Sequence, residues 1–359
     1  MNGYAESDAL HARARAFVRA FEAGRPAPEA FDALACDLAR YQAAHVAGYA
    51  RLCRARGVEA SSFVRAADAP AVPTDAFKVT RVAAFAAADA SATFRTSGTT
   101  IGARGTHAMR DVRTYDDAAL AFGRWALARD LPTRTPVLVI GPPPDEAPDS
   151  SLTHMLALFV RELSSEPSRA FFLRDGIFEL GALSETVARL DPRGPGALLL
   201  GTSFAFVHLL DALDGATFPL PRGSRVMQTG GYKGKSRDVA PSALAAEIAR
   251  TFAVSSIVSE YGMTELSSQF YDAQPHPGVY VEPPWARVVP VHPETLAPVA
   301  DGEVGIARIE DLMNVDSAFA VLAADRVRRV DGGFELLGRA PGAAPRGCSI
   351  AVDEMLGPS

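Results

Sequence analysis

Two short stretches of the chain combine glycine, hydroxyl and carboxylate side chains in a way that suits anion chemistry. The first is TFRTSGTTIGARGTH, at residues 93–107. Glycine tolerates tight turns, so backbone N–H groups and hydroxyls in such a loop can converge on a phosphate. The stretch is not a Walker A loop, because no Gly-Lys-Ser/Thr follows at the required spacing. Taken alone, it fits a phosphate-binding loop and an ordinary solvated loop equally well.

The second stretch is VSEYGMTELSSQF, at residues 258–270, which follows from a predicted strand. Its aromatic ring, hydroxyl and carboxylate are those of Tyr261, Thr264 and Glu265. Such groups can stack on a base, bond a phosphate and hold Mg²⁺. A strand-to-helix turn with a capping threonine and glutamate would use the same residue types. Taken alone, this stretch favours the capped turn.

The elements that would position these residues alternate along the chain. Helical periodicity predicts helices at 5–22 and 31–56, followed by a proline-punctuated connection. From about residue 135, short apolar runs alternate with helical stretches, which is typical of a mostly parallel sheet covered on both faces. The predicted strands are 136–140, 170–173, 197–200, 225–228 and 253–258, and the predicted helices are 152–163, 179–190, 203–213 and 241–250. After residue 277, apolar and polar residues alternate and turn residues are frequent, which predicts a small antiparallel section.

Small, turn-prone segments follow three of the predicted strands. They are Gly-Thr-Ser at 201–203, Thr-Gly-Gly at 229–231 and Ser-Glu-Tyr-Gly at 259–262. Open sheets bind ligands beyond the carboxyl ends of their strands. We therefore expect the three segments to line one binding site.

Composition limits the possible classes of protein. The chain has 359 residues, 48% hydrophobic and 22% charged, enough for one large or two modest domains with a sizeable core. A net charge of −6 argues against nucleic acid as the main partner. No apolar run approaches the roughly 20 residues that span a bilayer, and the N-terminus lacks a signal-peptide core. With three cysteines and no pairwise motif, we expect a cytoplasmic protein.

The combination of TSGTT at 96–100 with Tyr-Gly-x-Thr-Glu at 261–265 is far more specific than either motif alone. The chain resembles the superfamily of acyl-adenylate-forming enzymes, and within it most closely the acyl-protein synthetase (LuxE) family. It resembles phenylacetate–CoA ligases more than most other members of the superfamily. The resemblance extends from PTDAFKV at 73–79 to the C-terminal cysteine. It includes HPETLAPVADGEVG at 292–305 and VLAADRVRRVDGGFELLGRAPG at 321–342.

This resemblance implies an α/β fold, the large N-terminal domain of an adenylate-forming enzyme. Mostly parallel sheets would be flanked by helices, with a small β section near the C-terminus and a truncated C-terminal domain. We expect a helical segment at 1–75, the adenylate-forming core at 76–335 and a short tail at 336–359.

The resemblance also implies that ATP and Mg²⁺ bind through both motifs. Thr264 would contact the α-phosphate, Glu265 would hold Mg²⁺ and Asp325 would bind the ribose hydroxyls. Arg339 would contact ribose or phosphate. The remaining contacts, around the β- and γ-phosphates and the adenine, would be Thr96, Ser97, Gly98, Thr99, Thr100, Gly230, Gly231, Tyr261 and Gly262. The acyl group would contact Gly201, Phe204 and Tyr232.

Two departures from the superfamily pattern concern basic residues. The usual Gly-x-Pro-Lys after TSGTT is Ile-Gly-Ala-Arg, which puts Arg104 where a lysine is expected. Standard ligases carry a further C-terminal domain that delivers a catalytic lysine. Here three of the 36 basic residues are lysines, and the last is Lys235. Arg104, Lys233 and Arg339 are the candidates to supply that charge.

The LuxE branch also lacks that domain and has a cysteine near its C-terminus as acyl acceptor. Cys348, in Arg-Gly-Cys-Ser, matches it. Small residues and glycine at 342–347 would leave the tail mobile, and Arg346 would favour the thiolate. Cys36 and Cys53 fall in predicted helices, where we expect them to pack as small apolar residues.

The expected function is ATP-dependent activation of a carboxylic acid, a fatty acid in this family, to an acyl-adenylate. The acyl group would pass to Cys348 as a thioester and then to a partner such as a fatty acyl reductase. A ligase that uses free coenzyme A or a carrier protein would not need Cys348. A non-catalytic nucleotide-binding module would keep the ribose and base contacts without Mg²⁺ chemistry.

Overall fold

The structure is a computed structural model that describes residues 3–97, 103–230, 240–273, 276–339 and 346–357. The α-helices of these residues are α1 (Gly3–Glu22), α2 (Phe31–His45), α3 (Ala47–Ala55), α4 (Ala76–Val79), α5 (Arg113–Leu127), α6 (Ser151–Leu163), α7 (Leu180–Arg189), α8 (Ser203–Leu213), α9 (Pro241–Phe252) and α10 (Arg346–Leu356). Across the described ranges, no helix is long and apolar enough to cross a membrane.

The strands fall into a long central series and several short pairs. They are β1 (Val72–Pro73), β2 (Ala92–Arg95), β3 (Thr106–Met109), β4 (Val137–Ile140), β5 (Leu173–Arg174), β6 (Ile177–Phe178), β7 (Leu198–Thr202), β8 (Arg225–Thr229), β9 (Ser256–Tyr261), β10 (Phe270–Ala273), β11 (His276–Val281), β12 (Ala286–Val291), β13 (Val304–Asp311), β14 (Ala320–Val330) and β15 (Gly333–Arg339).

The chain divides into two compact units. The first comprises Met1–Ala121, Met263–Phe270 and Val279–Ser359, and the second comprises Phe122–Gly262 and Tyr271–Gly278. This division differs from the boundaries expected at residues 75 and 335. The N-terminal helices share the first unit with the C-terminal strands, because buried side chains of α2 bond there: Gln42 Nε2 donates to the carbonyls of Asn314 and Val315 at 2.8 and 2.9 Å.

The second unit is built on parallel strands in the order β9-β8-β7-β4, with β10 beside β9. Two of its helices, α6 and α8, begin at side-chain caps, since Ser150 and Thr202 accept from the backbone N–H groups of Thr153 and Ala205. Strand β7 is buried from Leu198 to Gly201 and packs in an apolar core between helices. The predicted parallel α/β arrangement is confirmed here.

Two predictions about local elements are wrong. Residues 170–173 do not form a strand of this sheet, because the chain turns back at Asp175 and Gly176, both at positive φ, and closes the short β5–β6 hairpin. Only a single bridge, between Phe171 and Val139, joins this region to β4. The helix predicted at 31–56 is interrupted at Val46, whose backbone is extended (φ −105°, ψ 101°) between α2 and α3.

The first unit contains the antiparallel strands predicted after residue 277. Their order is β12-β13-β14-β15-β11, and β1 pairs in parallel with β14. Strands β2 and β3 form a separate hairpin in which Arg95 pairs with Thr106. This hairpin holds both ends of the 93–107 stretch, so the loop between them starts and finishes at neighbouring residues.

The segment expected to be a mobile tail is helical from Arg346 to Leu356 and packs against α3 and β1. Arg51 Nε donates to the Met355 carbonyl at 2.5 Å, and Arg56 Nε lies 2.7 Å from Glu354 Oε2. A larger residue is disfavoured at position 347, because a Cβ there would lie 2.8 Å from the backbone carbonyl oxygen of Pro293. Residues 346–357 are therefore a docked helix in this structure, where the sequence predicts a mobile tail.

Candidate functional site

The hairpin β2–β3 brings together the ends of the glycine- and hydroxyl-rich loop. Thr96 Oγ1 accepts from the Gly105 N–H at 2.8 Å, and the Thr96 N–H donates to the Gly105 carbonyl at 2.9 Å. Arg104 Nε donates to the Thr96 carbonyl at 2.6 Å. Ser97 is exposed. Gly98, Thr99 and Thr100 lie outside the described residues, so their predicted phosphate contacts stay predictions.

Glu265 lies close to the end of this hairpin where Thr96 and Gly105 lie. A Cβ added to Gly105 would stand 3.0 Å from Thr96 Cγ2 and 3.6 Å from Glu265 Oε1. The Glu265 side chain is buried, and burial raises the pKa of its carboxyl to about 7 although Lys78 and Arg339 favour the charged form. A divalent cation would offset the cost of a buried charge, so this carboxylate fits the metal role that the sequence predicts.

Side chains from the end of β13 and from its connection to β14 fix the main chain around Glu265. Asn314 Nδ2 donates to the Glu265 carbonyl at 2.9 Å. The backbone N–H groups of Ser267 and Ser268 donate to Asp311 Oδ2 at 2.8 and 2.9 Å. Sequence reasoning missed Asp311 and Asn314, because they lie more than 40 residues from their partners.

His107 holds the neighbouring residue, Thr264. Its Nδ1 lies 2.8 Å from the Thr264 carbonyl oxygen and its Nε2 lies 2.9 Å from Ser317 Oγ. The ring is 1% exposed, and burial lowers its pKa to about 4. Sequence reasoning also missed His107, although it closes the 93–107 stretch.

Asp325 and Arg339 occupy paired positions of β14 and β15. Arg339 Nε lies 3.5 Å from Asp325 Oδ1. Arg339 is mostly exposed, whereas the Asp325 side chain is 16% exposed. The two predicted ribose-side residues are therefore neighbours, and the positive charge of Arg339 also acts on Glu265.

In the second unit the carboxyl ends of three strands lie side by side. Thr202, Thr229 and Glu260 are in register across β7, β8 and β9. The Thr229 hydroxyl donates to Glu260, whose pKa burial raises to about 7. Ser203 Oγ donates to the carbonyl of Gly230 at 3.3 Å. The predicted clustering of these strand ends is confirmed within this unit, while Gly231, Tyr232 and Lys233 lie outside the described residues.

Two side chains near these strand ends, Gln228 and Phe204, suit contact with a ligand. Gln228 Oε1 is buried and has no hydrogen-bond partner among the described residues. Such an acceptor is suited to an amino group of a ligand. Gly201 is tightly packed, since a Cβ there would lie 3.0 Å from the Ile140 carbonyl oxygen. Phe204 is 44% exposed and contacts His208 edge-on, while the Tyr261 ring is buried.

Cys348 lies on the buried face of α10 and is 4% exposed. Burial and the negative charge of Asp75 raise the pKa of its thiol to about 11. The expected help from Arg346 does not outweigh burial, so the docked helix does not present a thiolate. Asp75 also raises the pKa of Glu265, which indicates that α4 lies near both groups. Cys36 and Cys53 are buried in α2 and α3, as predicted.

No cluster of three or more histidine, cysteine, aspartate or glutamate side chains that could hold a metal ion occurs in the ranges that the structure covers. Because Mg²⁺ prefers oxygen ligands, hydroxyls, waters or a bound phosphate would also suit a metal at Glu265.

Comparison with known proteins gives both the fold and the family. Similar solved structures include 2-hydroxyisobutyryl-CoA ligase in the postadenylation state with R3-HIB-AMP, at 15% identity and a TM-score of 0.61, covering 86% of this chain and 67% of that chain. The open conformation of the same ligase with 2-HIB-AMP and CoA gives 15% identity and a TM-score of 0.59, covering 88% and 76%.

ATP-bound MatB from Rhodopseudomonas palustris gives 16% identity and a TM-score of 0.48, covering 71% of this chain and 49% of that chain. The chain thus spans about half the length of MatB. No curated protein sequence matches it. At these identities the two 2-hydroxyisobutyryl-CoA ligase structures show the fold, and they confirm the predicted α/β architecture. The model of the LuxE acyl-protein synthetases matches residues 6–357. The chain therefore belongs to the LuxE family of acyl-protein synthetases.

Proposed function

We propose that this protein activates a carboxylic acid with ATP and Mg²⁺, releasing pyrophosphate, and then carries the acyl group on Cys348. The observation that supports the first step is the buried carboxylate of Glu265 near Gly105, at the end of the β2–β3 hairpin that carries the loop. A carboxylate desolvated in this way, with Lys78 and Arg339 near it, suits a site where phosphate and a cation meet.

Adenylation requires two anions, the carboxylate and the triphosphate, to approach each other. Catalysis therefore rests on positioning and on neutralising charge. Bound Mg²⁺ would supply positive charge to the phosphates, and Glu265 would hold it. Thr264 would bind the α-phosphate through its hydroxyl. The remaining proposed nucleotide contacts are Thr96, Ser97, Gly98, Thr99, Thr100, Gly230, Gly231, Tyr261, Gly262, Asp325 and Arg339.

The charge of the missing lysine needs another source. The Arg104 guanidinium donates to the carbonyls of Arg95 and Thr96. Its donors are therefore already used within the hairpin. Arg339 is 62% exposed and acts on Glu265. We therefore favour Arg339 over Arg104 for this role, and Lys233 remains the other candidate.

The proposed acyl transfer joins the carbonyl carbon of the adenylate to Cys348 Sγ. The C–O bond to AMP breaks, AMP leaves as an anion, and the thiol proton goes to solvent. Because Cys348 lies on the buried face of α10 and is 4% exposed, this step requires α10 to leave its position on α3 and β1. The acylated helix could then present its cargo to a partner such as a fatty acyl reductase.

We propose a fatty acid as substrate, bound near Gly201, Phe204 and Tyr232. Phe204 supports this choice, since a 44% exposed ring at the start of α8 can contact an apolar chain. A second candidate function is a ligase that transfers the acyl group to coenzyme A or a carrier protein. The burial of Cys348 favours this alternative, in which that thiol has no chemical role.

Pyrophosphate–ATP exchange over a panel of carboxylic acids tests the first step. The native chain should exchange in the presence of its acid, and Glu265→Gln should reduce exchange by about a hundredfold or more, since one electrostatic contact is removed from the reacting site. Glu303→Gln, on an exposed turn, is the matched control. Native exchange in the Glu265 variant would overturn the assignment of the site.

A further inference from the structure

His107 joins three segments of the first unit that are far apart in sequence. It lies on β3, one residue pair from the end of the hairpin where Thr96 and Gly105 lie. Its ring contacts the Thr264 carbonyl on one side and Ser317 Oγ on the other, at 2.8 and 2.9 Å. The Phe77 ring packs against it in an edge contact, with ring centroids 5.6 Å apart.

The partners of the ring determine its tautomer. A carbonyl oxygen can only accept, so His107 Nδ1 must carry the hydrogen and donate to Thr264. In the neutral ring Nε2 then accepts, and the Ser317 hydroxyl donates to it. The ring stays neutral at physiological pH, because its burial leaves no solvent to stabilise a positive charge. His107 is thus a directional donor rather than a proton carrier.

The carbonyls of Thr264 and Glu265 are both held from outside their own segment. His107 donates to the first, and Asn314 Nδ2 donates to the second at 2.9 Å. Fixing two successive carbonyls fixes the peptide planes and hence the directions in which the two side chains leave the backbone. Because His107 belongs to the hairpin, it also sets these residues relative to Gly105, whose Cβ position is 3.6 Å from Glu265 Oε1.

We propose that His107 is a positioning residue for adenylation, which acts by donating from Nδ1 to the Thr264 carbonyl and so aligns Thr264 and Glu265 with the hairpin. This inference rests on the proposed function of the same site. A misplacement of about 1 Å at a reacting centre costs about a hundredfold in rate, so one bond that fixes a peptide plane can matter this much.

Two substitutions separate the two bonds of the ring. The side-chain amide of His107→Asn reaches the position of Nδ1 and keeps the bond to Thr264. The longer side chain of His107→Gln reaches the position of Nε2 and keeps the bond to Ser317. Pyrophosphate–ATP exchange should stay within about threefold of native for Asn and fall at least tenfold for Gln, with a higher Mg²⁺ requirement. Ser317→Ala, which removes the other partner, is the control and should keep the native rate.

A purely structural role predicts a different outcome, in which both His107 variants lose activity in proportion to their loss of melting temperature. Equal exchange rates for Asn and Gln would overturn the inference while leaving the proposed function in place. A native chain that exchanges pyrophosphate with no acid of the panel would overturn both.

The tautomer can be measured on the native chain, which covers the case in which neither variant folds. Imidazole ¹⁵N–¹H correlation spectra should show the His107 ring protonated on Nδ1, and the Ser317→Ala variant identifies the resonance through its shifted Nε2. A ring protonated on Nε2 would overturn the inference, because no bond from Nδ1 to Thr264 could then exist.

Discussion

Asp325 and Arg339 face each other across the antiparallel strands β14 and β15, with Arg339 Nε 3.5 Å from Asp325 Oδ1. The carboxylate is largely buried and the guanidinium is open to solvent. The charge of Arg339 also favours the ionised form of Glu265. One arginine therefore influences both the proposed ribose residue and the proposed metal ligand. Substitution of Arg339 should affect ATP binding and catalysis together, whereas substitution of Asp325 should affect ATP binding.

Asp325→Asn should weaken ATP binding with little change in the rate at saturation. The amide keeps the size of the side chain but removes the charge that would accept from the ribose hydroxyls. A hydrogen bond to a charged group contributes about 1.5–3 kcal/mol, so the KM for ATP should rise about tenfold or more. Pyrophosphate exchange at varied ATP measures this, with Asp331→Asn on an exposed turn as the control. A fall in kcat at unchanged KM would assign Asp325 to chemistry instead of binding.

Glu260 should make the stability of the protein depend on pH. Its pKa is about 7 in the folded chain against 4.5 for the free residue, so the folded state holds the proton more tightly. The stabilisation is complete below pH 4.5, decreases as the pH rises and is lost above pH 7. The change is about 1.4 kcal/mol per pH unit, or about 3 kcal/mol over the interval.

Glu260→Gln stays neutral and still accepts from Thr229, so it should escape this loss. Melting temperatures of the two chains should be close at pH 5, and the Gln variant should be the more stable at pH 8. Glu303→Gln provides the matched exposed control. If the melting temperatures of the native and Glu260→Gln chains changed by the same amount between pH 5 and 8, burial would not disfavour the charge of Glu260.

The parallel strands were predictable because they are buried on both faces. Strand β4 is buried at all four residues, Val137–Ile140, so an unbroken apolar run was visible in the sequence. The false strand at 170–173 has a similar apolar run. It does not join the sheet because the chain turns at Asp175 and Gly176, and a search for apolar residues does not detect that turn.

The helix α10 was also readable in principle. Cys348, Ala351 and Met355 are buried at spacings of three and four, the pattern of one helix face. Glycines and prolines just before it favoured a tail. The motif residues Thr264 and Glu265 could be identified from the amino-acid sequence alone. Their supports, His107 and Asn314, could not, because their importance comes from contacts with residues 157 and 49 positions away in the chain.

Loosening α10 should expose the Cys348 thiol. Glu354→Gln removes the charge pair with Arg56, and Arg51→Met removes the bond to the Met355 carbonyl. A pair this exposed contributes up to about 1 kcal/mol, so each change should speed labelling of Cys348 a few-fold. The labelling rate is measured with a thiol reagent in a background of Cys36→Ser and Cys53→Ser. Unchanged labelling in the double variant would mean that these contacts do not hold the helix.

Cys348→Ser should separate the two proposed half-reactions. Pyrophosphate exchange should survive, because the residues proposed for adenylation lie elsewhere in the chain. Labelled acyl group should no longer remain on the denatured protein, whereas in the native chain it should be present and released by neutral hydroxylamine, as expected of a thioester. Cys36→Ser and Cys53→Ser should keep the label, since both thiols are buried in helices. Because Cys348 is buried when α10 is docked, Glu354→Gln should also speed the appearance of label without changing exchange. A native chain that exchanges pyrophosphate yet never carries hydroxylamine-labile label would favour transfer to coenzyme A or a carrier protein.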